Sequence, residues 1–400
     1  MKGGIFQLHT KGIQDTMLTG KPEHNFIKQV YRQYDNFSIE SKTLFGNEIP
    51  TFGGMITFNI KNLGDFLHKL YFCFTLPKLQ YTSGTYASWT NAIGHAIIDK
   101  CELSIGNIII NSEYGLFMEI WNELTTQRTH ADTLIGKYQH VQLLEKNALT
   151  DSSYIVPLNF WFCENIGSSL PLMSLKNNSI KIMFKLKNFD ECITYDGITP
   201  PNPVMISRAS LRCEYIFIDD YLKDRFLNSE HSYIIKQTQK CEEGYIGPGS
   251  TTRSILTFNH PCNEIFFVLR EIESENNNDW FNFSIRDNII GSAIEPLLDS
   301  AKLVLDNVDF SEYTGQSELG LLNNTRYHSN ITDKYIYTIP FCNEPEKIYP
   351  NGTLNMSMFS NTNLNIKASI DGNPSRLYVF ARNFNWLVIK DGIMRLKYSI

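Results

Sequence analysis

Several patterns are missing from this sequence, and each absence removes a class of function. No two of its eight cysteines (73, 101, 163, 192, 213, 241, 262 and 342) stand at CxxC spacing, so neither a zinc ribbon nor a thioredoxin-like motif is indicated. In a long cytosolic chain such thiols are mostly small buried hydrophobes, and nothing in their spacing requires a disulfide. The nine histidines form no HxH, HxxxH or HExxH pair, which leaves no cupin-type metal site and no zincin helix. GxSxG and GxxxxGK[ST] are absent, and GPGS at 247–250 lacks the third glycine of a dinucleotide fingerprint; it reads as a loop. Long apolar runs are missing too. The longest, Leu70–Leu76 and Ile265–Leu269, have strand length, far below the ~18–20 residues that span a bilayer. The opening MKGGIFQLHTKGIQD holds no apolar core of signal-peptide length, so a soluble chain kept in the cytosol is expected.

Charge is also sparse. Charged residues make up 20% of the chain and the net charge is −6, so no global basic field exists to hold nucleic acid. Direct nucleic acid binding is not expected. Aromatic residues, by contrast, reach 13%, with 26 Phe and 20 Tyr, a composition that suits pleated surfaces. A length of 400 residues makes two domains the natural division.

Segments of strand length recur between Gly, Asn, Pro and Asp: 53–60, 70–76, 101–110, 179–187, 211–218, 254–259, 264–270, 334–340, 354–359, 364–370 and 376–381. In 179–187 the alternation is clear, with Ile180, Ile182, Phe184 and Leu186 on one face and Lys181, Met183, Lys185 and Lys187 on the other. Many short strands and few helices predict all-β sandwiches or barrels rather than βαβ units. Two helices interrupt them. Asn111-Ser112 stands where it would cap a helix with Leu116, Phe117, Ile120, Trp121 and Leu124 on one face. Asp219-Asp220 would cap a shorter one through Leu222 and Phe226, at a natural domain junction. The two halves also echo one another. MITFNI (55–60) resembles ILTFNH (255–260), and NNSIKIMFKL (177–186) resembles NTNLNIKASI (361–370), in the same order but at different separations. A duplicated domain whose loops then changed accounts for that order.

One stretch breaks the alternation. In VPLNFWFCENIGSSLPL (156–172), a strand would put Leu158, Phe160 and Phe162 on one face and Trp161 and Cys163 on the other. Both faces then want cover, as in a strand buried on two sides, a surface that meets another protein, or a pocket wall. Paired carboxylates (Glu242-Glu243, Asp219-Asp220, Glu271 with Glu273) are candidates for acid–base chemistry, but carboxylates on loops and strand ends are usually just solvated. Seven N-x-[ST] sequons occur, at Asn36, Asn177, Asn282, Asn323, Asn330, Asn351 and Asn355. Asparagine is simply abundant here, and the sequons are expected to be unused; Asn282, Asn323 and Asn351 are the positions retained as glycan candidates.

Lined up, these segments resemble the major capsid protein family of the nucleocytoplasmic large DNA viruses, which includes iridoviruses and phycodnaviruses. KGIQDTMLTGKPEHNFIKQVYRQYDNFSIES (11–41) is similar to the family opening, through Gly12, Gln14, Asp15, Leu18, Thr19, Gly20, Pro22, Phe26, Tyr31 and Arg32. VPLNFWFCENIGSSLPL resembles the family's P-L-x-F-W-F-C-x-N-x-G-x-x-L-P-L, carrying Phe160, Trp161, Phe162 and Pro171. EYIFIDDYLKDRFLNSEHSYIIKQTQ (214–239) resembles the junction between its domains, and YVFARNFNWLVIKDGIMRLKYS its C-terminal strands. The resemblance spans nearly the whole chain in order.

It implies an N-terminal arm (1–25) followed by two eight-stranded antiparallel jelly rolls (26–218 and 219–400) with short helices in their loops. It also implies a homotrimeric, pseudo-hexagonal capsomer that tiles an icosahedral shell over an internal membrane. The arm would meet minor capsid proteins or the membrane side, and the protein would be made in the host cytoplasm. No catalysis, cofactor or metal is expected. FWFC then reads most simply as a strand packed on both faces, because only Asn159 and Glu164 in that segment could furnish a pocket. FWFC and IFFVLR (265–270) are also the apolar runs that contacts between chains would suit. The alternative is a two-domain jelly-roll protein that binds or hydrolyses glycans.

Overall fold

Period-two alternation carries most of this chain into antiparallel sheets. The computed structural model describes residues 3–10, 12–13, 21, 35–80, 84, 86–127, 129–175, 178–227, 229–285, 295–390 and 392–398. Residues 1–37 form one compact unit and residues 38–400 another. In the first unit Gly3–His9 is a helix, α1. Gly12 is exposed, while Asp15, Thr19, Gly20, Pro22, Phe26 and Tyr31 lie outside the described residues.

Eight principal strands come from residues 37–218: β1 (Phe37–Phe45), β2 (Met55–Ile60), β3 (Phe66–Leu76), β4 (Ile98–Ile105), β5 (Ile108–Tyr114), β6 (Ser152–Pro157), β7 (Ile180–Leu186) and β8 (Arg208–Ile218), beside three strands of two or three residues. They pair in the orders β1-β8-β3-β6 and β2-β7-β4-β5. Eight counterparts follow among the described residues, beside four short strands: β9 (His231–Lys240), β10 (Thr251–Ile255), β11 (Pro261–Glu271), β12 (Leu298–Leu305), β13 (Val308–Asp309), β14 (Tyr337–Pro340), β15 (Thr362–Ala368) and β16 (Ser375–Lys390). Their orders are β9-β16-β11-β14 and β10-β15-β12-β13. Adding eight to each number of the first set gives the second, so the chain is a double jelly roll. The second sequence echo falls on topologically equivalent strands, β7 and β15. The first is looser: MITFNI is β2, whereas ILTFNH begins at the last residue of β10.

Alternating side chains fill the space between the sheets of each roll. In the first, Phe58, Phe72 and Phe184 from β2, β3 and β7 meet, with Phe72 and Phe184 stacked at 4.2 Å. In the second, Ile265, Phe267, Leu303, Leu364 and Ile366 occupy the same place, and Phe267 stacks on Tyr337 at 5.2 Å. The turns match as well. Gly106 (φ 65°) opens the two-residue β4–β5 turn, and Asp306 and Asn307 (φ 45° and 65°) form the β12–β13 turn. These left-handed positions suit Gly, Asp and Asn.

Several local expectations need correction. Residues 101–110 are a hairpin, not one strand, and 354–359 hold only the two-residue strand Leu354–Asn355 before a 3-10 turn. The expected helix exists as α2 (Gly115–Thr125), but its N-cap is Tyr114. Asn111 and Ser112 belong instead to β5, whose ladder with β4 runs on to Tyr114. FWFC is not a strand: Trp161–Glu164 is a helical turn, α3. Pro157 ends β6 because it has no N–H for the ladder, and the amide of Leu158 makes a last bond to Leu70. A helical turn spreads successive side chains about 100° apart, so Phe160, Trp161 and Phe162 are all buried without two sheet faces. The second expected helix is α4 (Asp220–Leu227), where the Asp219 carbonyl accepts from the amides of Leu222 and Lys223.

Candidate functional site

The outer face of β11 and β16 is apolar as well as the inner. Phe266, Val268 and Phe380 are fully buried and belong to the core cluster of the first jelly roll, while Ile265, Phe267 and Val379 belong to that of the second. This double burial explains why IFFVLR does not alternate. It also corrects the expectation that contacts between chains cover it, since the cover comes from α2 of the same chain. Phe117 meets Phe266 and Phe380, each at 5.3 Å, and Trp121 meets Phe266 at 6.1 Å. FWFC is likewise satisfied within the chain. Phe160 stacks on Phe162 at 5.8 Å, and the Phe162 carbonyl lies 2.9 Å from His68 Nδ1. Pro171 is buried, paired with Phe66 of β3.

Around that apolar joint runs a seam of buried charge. Spacing i, i+4 puts Glu119 and Glu123 on one side of α2, at 0% and 1% exposure. Lys334 Nζ lies 3.1 Å from Glu119 and 2.9 Å from Glu123, and Lys137 Nζ lies 2.9 Å from each. His95 Nδ1 is 2.7 Å from Glu119, and Thr332 donates to Glu123 at 3.0 Å. Burial alone would raise the pKa of both carboxyls, but the two ammonium groups outweigh it. Glu119 is held well below the usual carboxylate range and Glu123 below it. Two carboxylates and two ammonium groups alternate, so the seam is neutral where water is excluded.

Three further buried groups, His328, Arg382 and Glu113, complete it. His328 Nε2 lies 3.0 Å from Glu264 and its Nδ1 3.5 Å from Glu346. Burial disfavours the imidazolium, yet the two carboxylates prevail and lift His328 to about 9. Arg382 donates to Glu164 at 2.8 Å and sits over the Trp121 ring, 4.1 Å from its centroid. Glu113, on β5, accepts from Asn111 at 2.9 Å and Thr238 at 3.0 Å. Burial raises it to about 7, against the lowering effect of Arg382 and those hydrogen bonds. Asn111 Oδ1 also accepts from the Thr238 amide at 2.9 Å, tying β5 to the edge of β9.

A cleft of about 790 Å³ opens beside the seam, with Glu119, Glu123, Lys137 and Lys334 in its wall and His130, His140 and Asp279 nearby. The acids and bases there already neutralise one another. Among the described residues, no three His, Cys, Asp or Glu side chains are placed to hold a metal ion. Of the seam residues the sequence drew attention only to Asn111, as a cap, and to Glu164, as a polar group beside FWFC; Glu119, Glu123, Lys137 and Lys334 did not stand out. Their only signal was the i, i+4 pair on an amphipathic helix, since Lys334 lies 215 residues from Glu119. The carboxylate pairs weighed for acid–base work are dispersed. Glu243 bridges Lys240 and Arg376, and Glu271 accepts from Asn373. The side-chain amides of Asn282, Asn323 and Asn351 each donate to the protein, to Asp279, Thr338 and Glu344 at 3.1, 2.8 and 2.9 Å.

This arrangement joins the two jelly rolls through an apolar joint and a charged seam, and comparison with known proteins agrees with a structural task. Two family profiles match, "Major capsid protein N-terminus" over residues 25–219 and "Large eukaryotic DNA virus major capsid protein" over 223–395. The chain is similar to the major capsid protein of Pyramimonas orientalis virus, at 30% identity with all of both chains covered. It is also similar to that of Phaeocystis pouchetii virus, at 27% identity with both chains fully covered. Among solved structures it resembles VP54 of PBCV-1, with a TM-score of 0.79 over 94% of this chain and 100% of that one. Their sequences are 22% identical, so this last likeness concerns the fold.

Proposed function

Because the chain belongs to the major capsid protein family of large eukaryotic DNA viruses, its role is structural and its place is the virion capsid; we propose that it fills that role as a homotrimer of pseudo-sixfold outline. The observation that carries this reading is the repeated strand order. One chain presents two similar barrels, so three chains around a closed threefold axis present six similar edges, as a hexagonally tiled shell requires. The boundary between the two rolls is put at Asp219-Asp220, where α4 separates β8 from β9. The preceding segment, residues 1–25, is read as an arm toward the shell interior that meets minor capsid proteins or the side of an internal membrane.

The protein is further proposed to be made in the host cytoplasm, to join an icosahedral shell and to catalyse no reaction. The family assignment leaves the glycan-binding or glycan-hydrolysing alternative without support. The sequons Asn282, Asn323 and Asn351 are proposed to stay unmodified, since their amide nitrogens are already committed to hydrogen bonds. Light scattering tests the central claim. At salt that screens weak surface pairs, the purified protein should show about three times its 46.1 kDa chain mass. A folded, stable monomer or dimer would overturn the reading.

A further inference from the structure

Lys236 and Asn263 stand on strands two apart in one sheet, yet their side chains end at the same atom. Their strands, β9 and β11, flank β16. Lys236 is paired with Phe384 across one ladder, and Glu264 with Arg382 across the other. Directly paired residues share a face, so by alternation along β16 Lys236, Arg382 and Glu264 all lie on the outer face. The register of β11 against β16 shifts between Cys262 and Glu264, a bulge that turns Asn263 to that face as well. The Pro345 carbonyl accepts from Lys236 Nζ at 3.2 Å and from Asn263 Nδ2 at 3.4 Å. An ammonium and a primary amide thus meet on one oxygen.

The groups that amide exchange needs surround this point. The Lys236 side chain is 3% exposed and Asn263 2%. Burial first, then the Arg382 guanidinium, push Lys236 down to about 8, which brings the neutral, nucleophilic amine within reach near neutral pH. Glu164 accepts from Arg382 with Oε1 at 2.8 Å and turns Oε2 toward Lys236 Nζ at 3.7 Å. That oxygen is placed to take a proton. Among the described residues, Asn263 Oδ1 has no hydrogen-bond partner, nor have Nε and Nη1 of Arg382, and all three atoms are buried. Such orphaned groups are uncommon. Negative charge developing on Oδ1 would give the guanidinium donors their use. Glu164 also stands in the wall of a cleft of about 860 Å³, an exit for a small leaving group.

We propose that Lys236 and Asn263 join in an isopeptide bond inside the folded chain. The Lys236 ammonium gives one proton to Glu164, and the neutral Nζ attacks Asn263 Cγ. Glu164 hands that proton to Nδ2 as the Cγ–Nδ2 bond breaks. Ammonium departs carrying it together with one proton from Nζ, so an ammonium and a primary amide become a secondary amide and free ammonium. No oxidant or other reactant is consumed. The bond replaces a buried cation with a neutral amide. It also ties the edge strand β9, which holds Asn111 of the first roll, to the interior strand β11. The number of chains that assemble does not enter.

Intact-mass spectrometry of the folded, full-length chain should read one ammonia less than the sequence mass. Trypsin should leave Lys236 uncut and release residues 226–240 joined to 254–270 as one branched peptide. Lys236→Arg should restore the full sequence mass. Asn263→Asp should lose water instead of ammonia, because a carboxyl then condenses with the amine. Glu164→Gln should leave most chains unjoined, and joining at the wild-type extent would overturn the part given to Glu164. Should a variant fail to fold, the wild-type mass and peptide map decide alone. The full sequence mass in folded wild-type chain, even after prolonged incubation at mildly alkaline pH, would overturn the bond. So would an ammonia loss carried by an unbranched 254–270 peptide, the mark of a succinimide at Asn263.

Discussion

His328 and Glu113 are both nearly closed off from water, and their titrations make stability depend on pH in the same direction. The folded pKa of His328, about 9, lies above the usual 6.5, despite burial, because of Glu264 and Glu346. Its contribution is therefore fully present below pH 6.5 and is lost as pH rises toward 9. His328→Gln should lower unfolding free energy by about 3 kcal/mol at pH 6, with the gap to wild type closing by pH 9.5. Urea unfolding at the two pH values reads this, and a gap independent of pH would refute the ion-pair explanation. Glu113, raised to about 7 chiefly by burial, also favours low pH: its contribution is complete below 4.5 and fades through 7. Glu113→Gln keeps an acceptor for Asn111 and Thr238 and removes the charge. It should melt higher than wild type at pH 8, by up to about 3 kcal/mol in stability, and match it near pH 4. Glu119 behaves oppositely, its stabilisation being lost only as pH falls well below 4.5. Glu119→Ala at pH 7 leaves Lys137 and Lys334 sharing one buried carboxylate. It should destabilise by about 3–5 kcal/mol, visible as a lower denaturant midpoint. A surface-like change below about 1 kcal/mol would show that water reaches the seam.

At the scale of elements, the start of α2 is decided by contact as much as by capping. A Cβ on Gly115 would lie 2.1 Å from the His95 carbonyl oxygen and 2.2 Å from that of Ile98. Both are backbone atoms, which cannot swing aside. Gly115→Ala should therefore destabilise by about 1–3 kcal/mol despite alanine's better helix propensity, and a rise in the melting midpoint would count against the steric account. The amphipathic stripe of α2 was legible, since Phe117, Ile120 and Leu124 are buried at helical spacing. Its first residue was not, because β-pairing of β5 with β4 overrode the apparent cap at Asn111-Ser112. The long alternating strands were legible for the reason β7 shows, with every second residue from Ile180 to Leu186 buried. FWFC misled because aromatic residues favour strands, whereas Pro157 just before it ended one.

Over the whole molecule, the arm and the barrels separate experimentally. Deleting residues 1–20 should leave soluble trimers with unchanged melting while particle assembly fails, as read by scattering and electron microscopy; loss of the soluble fold would refute the arm. The sequence by itself determined the all-β class, the repeated strand pattern and the family, because alternation, turn residues and contiguous motifs are local and survive in one dimension. Only the tertiary structure decided what covers the apolar faces. IFFVLR reads as a surface for another chain until α2 is seen lying on it, with Phe117 and Trp121 against Phe266. The charged seam belongs to the same category. Its partners come from segments up to 215 residues apart, and no pattern along the chain records a pairing that exists only because two barrels exclude water between them.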